Sequence, residues 1–150
     1  MTQTVLAYID INDQYLLLYR NKKKNDINEG KWIGVGGHIE KGETPEDALI
    51  REIKEETNYD VISYQKRGMI YFSSDGFSEV MHLYTVNKVK GQIRDCDEGE
   101  LKFFDKDKIF GLPMWEGDKI FLEYLLNNEP YFELRLDYKN DHLINFERLK

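Results

Sequence analysis

Residues 37–59 read GHIEKGETPEDALIREIKEETNY, and this stretch decides the architecture around it. Thr44 offers a side-chain acceptor at a helix start, Pro45 suits a first helical position that needs no N–H, and Asp47 completes a capping-box pattern. A helix is therefore expected over residues 44–57, with Asn58 as a left-handed C-terminal cap. At 3.6 residues per turn, Glu52, Glu55 and Glu56 fall within a wedge of roughly 100°. Leu49, Ile53 and Thr57 lie on the neighbouring side and can pack on a sheet, and Arg51 stands one turn before Glu55 and can pair with it.

Three carboxylates so close repel: two unit charges about 4 Å apart cost roughly 4 kcal/mol at an effective dielectric near 20. Water screens most of that, so a solvated acidic face is one reading. A hard-cation site is the other, because Mg²⁺ takes oxygen ligands and keeps waters and phosphate oxygens in its shell. The glycines Gly34, Gly36, Gly37 and Gly42 favour the second, since backbone without a Cβ can approach the helix face and offer a carbonyl to a metal.

Working outward, residues 5–10 and 15–19 are apolar runs around a turn at Asn12-Asp13, which reads as a hairpin. Residues 21–31 are polar and read as a loop, and residues 32–37 are short and glycine-rich. After the helix, residues 61–72 and 79–89 read as strands around a turn at 73–76, and residues 101–104 as a further short strand. Residues 115–127 read as a second helix, and residues 131–137 and 142–146 as a terminal hairpin. Strands on both sides of two helices give an α+β fold, an α/β/α sandwich with a mixed sheet between the helices. A length of 150 residues with 41% hydrophobic and 13% aromatic residues fits one domain over 1–150 with a real core.

A net charge of −7 argues against general binding to a nucleic acid polymer, where clustered Lys and Arg supply most of the affinity. A small phosphorylated partner remains compatible, since a bound divalent cation reverses the local sign. Cys96 is the single cysteine, so no internal disulfide forms. Its acidic neighbours Asp95, Asp97 and Glu98 disfavour a thiolate, and it reads as passive. No signal peptide or membrane span is apparent, which leaves the cytoplasm as the expected location. His38, His82 and His142 show no zinc spacing and read as structural.

The 37–59 segment resembles the Nudix box, G-x5-E-x7-R-E-U-x-E-E-x-G-U, where U is a bulky apolar residue. Gly37, Glu43, Arg51, Glu52, Ile53, Glu55, Glu56 and Tyr59 stand at the required spacing, and Asn58 replaces the later glycine. The resemblance implies a Nudix fold and hydrolysis assisted by Mg²⁺, with Mn²⁺ as a substitute. It implies that Glu55 and Glu56 ligate the metal with Glu52 and the Gly36 carbonyl, and that Glu52 also orients or deprotonates the attacking water. Arg51 would hold the glutamates and Glu43 would brace the loop. A glutamate from a distant loop often completes such sites, and Glu98 is the candidate, with Glu100 the alternative and a plain solvated turn the competing reading.

Residues 30–37 (GKWIGVGG) and 113–118 (PMWEGD) are similar to MutT-type enzymes, especially the MutX-like and animal 8-oxo-dGTPase branch. That resemblance implies a small-molecule nucleotide substrate, with Trp115 stacking on the base, Asp118 reading its edge and Ile33 touching it. Animal members carry asparagine at the Ile33 position and a pair of aspartates where Gly117-Asp118 stand here, so the preferred base stays open between oxidised guanine and other purines or pyrimidines. Lys24, in the basic loop 20–24, is the candidate to meet the triphosphate, with a solvated loop as the alternative. Residues 73–77 lack the tyrosine or proline frequent in dinucleoside polyphosphate and ADP-ribose hydrolases. The expected reaction releases a nucleoside monophosphate and pyrophosphate. The competing readings are a catalytically silent nucleotide-binding Nudix domain and a hydrolase of another nucleoside diphosphate derivative. The residues leave the oligomeric state unknown.

Overall fold

The computed structural model describes residues 1–22 and 26–150. Its nine strands are β1 (Thr2–Ile11), β2 (Gln14–Tyr19), β3 (Trp32–Ile33), β4 (Val35–His38), β5 (Asp60–Ser74), β6 (Phe77–Lys90), β7 (Glu100–Asp105), β8 (Phe132–Lys139) and β9 (His142–Arg148), with helices α1 (Pro45–Thr57) and α2 (Glu116–Leu126). They form a mixed sheet in the order β3-β2-β1-β6-β5-β8-β9, with β4 also paired to β1 and β7 to β2. The β1–β6 and β5–β8 pairs are parallel and the others antiparallel.

The two helices cover opposite faces, and the period-2 alternation of β1 sends side chains to both. Val5, Ala7 and Ile9 join Leu49 and Ile53 of α1 in one apolar cluster. Leu6 and Tyr8 join Phe121, Leu122 and Leu125 of α2 in the other. A strand buried on both faces reads as an unbroken apolar run, as residues 5–9 do.

The local signals act as their chemistry requires. Thr44 and Asp47 exchange side-chain-to-backbone hydrogen bonds, and Asn58 closes α1 with φ 74°. Asn12 and Asp13 both take positive φ, as do Asn140 and Asp141, giving two-residue turns that match strand twist. The β5–β6 turn is tighter than residues 73–76: only Asp75 and Gly76 leave the strands, both with positive φ, and Ser73 and Ser74 stay in β5. A 3₁₀ turn over Lys106–Gly111, which carries no clear periodic pattern, links β7 to α2. No described helix is long and apolar enough to cross a membrane.

Candidate active site

The loop ahead of α1 and the helix itself are fastened by one arginine. Arg51 Nε and Nη2 donate to the two oxygens of Glu43 at 2.7 and 2.9 Å, a bidentate fork. Its Nη1 donates to Glu52 at 2.7 Å and to Glu55 at 3.3 Å, and Nη2 reaches the His38 carbonyl at 3.0 Å. The Arg51 guanidinium lowers Glu43 to a pKa of about 2, and Glu43 in turn holds Arg51 firmly cationic. β4 runs close beneath. A Cβ on Gly37 would lie 2.6 Å from the Glu52 carboxyl carbon, and one on Gly36 would lie 1.9 Å from the Val5 carbonyl oxygen. Only glycine lets strand and carboxylates come this close.

Glu56 is the most deeply placed carboxylate, 5% exposed. Its Oε1 accepts the Gly36 N–H at 3.3 Å, while Oε2 is buried with no hydrogen-bond partner among the described residues. Burial first, then the negative charges of Glu98 and Glu52, push its pKa up to about 9. Glu52 is raised too, by burial against the opposing pull of Arg51. Glu98 comes from the loop before β7 and accepts from Arg20 at 3.1 Å. An orphaned buried oxygen among other carboxylates suits a positive charge, and the oxygens of Glu52, Glu56 and Glu98 fit a hard divalent cation. Glu55 faces outward, its side chain 58% exposed and paired with Arg51, and Glu100 is exposed on β7.

A cleft of about 510 Å³ is lined both by residues of this acidic cluster, Gly36, Gly37, Glu52 and Glu98, and by Ile33, Phe72, Trp115 and Asp118. Trp115 is the N-cap residue of α2 and donates through Nε1 to Asn28 at 2.7 Å. Phe72 and Tyr138 meet its ring edge-on, and Lys31 Nζ sits 4.4 Å from its centroid. With the ring 5% exposed, a base that stacks there must displace Lys31. Asp118 is buried, which raises its pKa to about 8; Lys31 opposes the shift and Glu79 adds to it. The Tyr8 hydroxyl is buried nearby without a partner among the described residues. Lys24 lies outside the described residues.

The profile of the NUDIX domain matches residues 2–125. The chain belongs to the Nudix hydrolase family. The chain is 34% identical over 111 residues to the oxidized purine nucleoside triphosphate hydrolase of Danio rerio, covering 73% of this chain and 71% of that one. It is 32% identical to the uncharacterized Nudix hydrolase YvcI of Bacillus subtilis, covering 89% of this chain and 90% of that one. Its fold matches the crystal structure of the MutT protein from Bacillus halodurans with a TM-score of 0.89 and 23% identity, covering 99% and 98% of the two chains. The Nudix assignment makes the chain an enzyme of the pyrophosphohydrolase type.

Three contributors to this Nudix site escape a linear reading. Lys31 looked like part of a polar loop but covers Trp115. Tyr138 lies on β8, beyond residue 125, yet its hydroxyl accepts the Gly117 N–H at 2.6 Å and so substitutes for the side-chain cap that α2 lacks. Cys96 sits buried against Glu56 and Glu98, with one ligand atom of each within 4.8 Å of the others. Only its distance in sequence from Glu56 hid that.

Proposed function

We propose that the chain, acting as one domain in the cytoplasm, hydrolyses a purine nucleoside triphosphate with Mg²⁺ to a nucleoside monophosphate and pyrophosphate, with oxidised guanine as the leading candidate base. The observation that carries this reading is the continuity of the cleft: a cation-deficient acidic end and an aromatic pocket with a buried carboxyl group share one volume. The name of the Danio rerio relative supports the substrate class.

Glu52, Glu56 and Glu98 would hold the cation with the Gly36 carbonyl, and Glu55 would join through its exposed oxygens. When bound, Mg²⁺ neutralises phosphate charge and lowers the pKa of a coordinated water. The chain's own groups do the rest. Glu52, anchored by Arg51, takes up the proton of the attacking water. Arg51 fixes the spacing of the glutamates, so positioning does not depend on the substrate. Asp118, with its raised pKa, carries a proton near neutral pH and donates it to an acceptor on the base edge. Ile33 packs on the base beside Trp115. Lys24, outside the described residues, is the candidate to attract the triphosphate.

A panel of purine, oxidised purine and pyrimidine triphosphates with Mg²⁺, read for pyrophosphate and orthophosphate separately, tests the reading. Pyrophosphate release with a purine preference is expected. Orthophosphate alone would mean that a different bond is cut, and no turnover on any member would mean that the substrate class is wrong.

A further inference from the structure

Cys96 stands where a bystander thiol has no reason to be. It is 4% exposed and shares its cluster with Glu56 and Glu98, whose ligand atoms lie within 4.8 Å of its own. The turn that holds it is built: Cys96 bridges to Gly99. Lys22 Nζ ties the Cys96 carbonyl at 2.9 Å. A Cβ on Gly99 would lie 1.8 Å from the Tyr19 carbonyl oxygen, so the turn is pressed against β2 and keeps the sulfur in place. The second, independent sign is the burial of Glu56, 95% buried by its 5% exposure, whose Oε2 has no partner among the described residues.

Resting on the reading of Glu56 and Glu98 as metal ligands, we propose that Cys96 Sγ is a third ligand that gives the centre a thiophilic mode. Zn²⁺, Co²⁺ or Cd²⁺ binds through sulfur and two carboxylates, in competition with Mg²⁺ for Glu56 and Glu98. Ligand softness supports the split: thiolate selects borderline and soft cations, whereas Mg²⁺ takes oxygen. Ligands at about 2.0–2.3 Å from a tetrahedral ion lie about 3.5 Å apart, so atoms within 4.8 Å of one another need close by no more than about 1.3 Å, within reach of the half-buried Glu98 side chain. A second hollow of about 360 Å³ is lined by Lys22, Ile93, Arg94 and Cys96. On binding, the Cys96 proton passes to solvent, a metal–sulfur bond forms, and no oxidation state changes.

Titration of the full chain with Co²⁺, followed by absorption, tests this. A near-ultraviolet thiolate-to-cobalt charge-transfer band is expected in the wild type and absent in both Cys96→Ser and Cys96→Ala, whose folding is checked by circular dichroism. Competition should show Zn²⁺ affinity falling about tenfold or more in Cys96→Ser, a scale that even outer-shell changes reach. Mn²⁺ binding, followed by loss of its free-ion electron paramagnetic resonance signal, reports on the carboxylates separately. Mn²⁺ binding with no sulfur band in Co²⁺-loaded wild type overturns the thiophilic mode and leaves the acidic site standing. Binding of neither ion overturns both.

Discussion

Glu56 and Asp118 are both buried carboxyl groups next to helix ends, one in the last turn of α1 and one in the first turn of α2, on opposite faces of the sheet. Burial is the largest cause of the raised pKa in each, about 9 for Glu56 and about 8 for Asp118. Their neighbours differ. Around Glu56 the next influences are the carboxylates Glu98 and Glu52, whose repulsion a bound proton or a bound cation relieves. Around Asp118 the cationic Lys31 stands against Glu79, amid Tyr8, Tyr138 and Trp115. On the proposed function, the like-charged neighbourhood would serve as a metal end and the aromatic one as a proton donor to a base, so that one kind of electrostatic shift would serve two tasks.

The sharpest way to break this pairing is Glu56→Gln. Turnover should fall about 100-fold or more, as when a charge-stabilising group is removed from an active site, while the circular dichroism spectrum is unchanged; wild-type turnover would remove Glu56 from the chemistry. Arg51→Ala tests whether the acidic end depends on its fork. Loss of its bonds to Glu43 and Glu52 should lower the urea midpoint, and Arg51→Lys should not restore it, since an ammonium cannot reproduce the bidentate geometry.

At the other end, Asp118→Asn gives a pH test. The folded chain holds a proton that the unfolded chain, with its carboxyl near 3.8, would release. Stability from this group is therefore complete below about pH 4 and is lost as pH climbs through about 8. Melting temperatures of wild type should fall relative to Asp118→Asn between those limits, and parallel curves would show that Asp118 is ionised when folded. The smallest effect belongs to Trp115→Phe. It keeps a stacking ring but loses the bond to Asn28, so KM should rise a few-fold with kcat held, and an equal fall in both kcat and kcat/KM would place Trp115 in the chemical step instead.

The acidic end was legible because its signals are local. Thr44, Pro45, Asp47 and Asn58 set the limits of α1 within one segment, and helical period alone puts Glu52 and Glu56 on one side. The two-residue turns at 12–13 and 140–141 were legible for the same reason. The aromatic end depends on contacts across the chain. Trp115 meets Phe72, Tyr138 and Lys31 only after β5 and β8 pair in parallel, an arrangement that no short window of sequence encodes. Cys96 was half legible: its sequence neighbour Glu98 does meet it in space and its thiol pKa is raised, whereas Asp95 and Asp97 are exposed and the second carboxylate, Glu56, comes from α1.

The most direct test of the two-ended cleft is kcat/KM for wild type, Glu56→Gln and Asp118→Asn across one panel of purine, oxidised purine and pyrimidine triphosphates. The division of labour predicts that Glu56→Gln lowers every value by a common factor, while Asp118→Asn reorders the bases and loses most on the preferred purine. A base-dependent loss in Glu56→Gln together with a uniform loss in Asp118→Asn would contradict it.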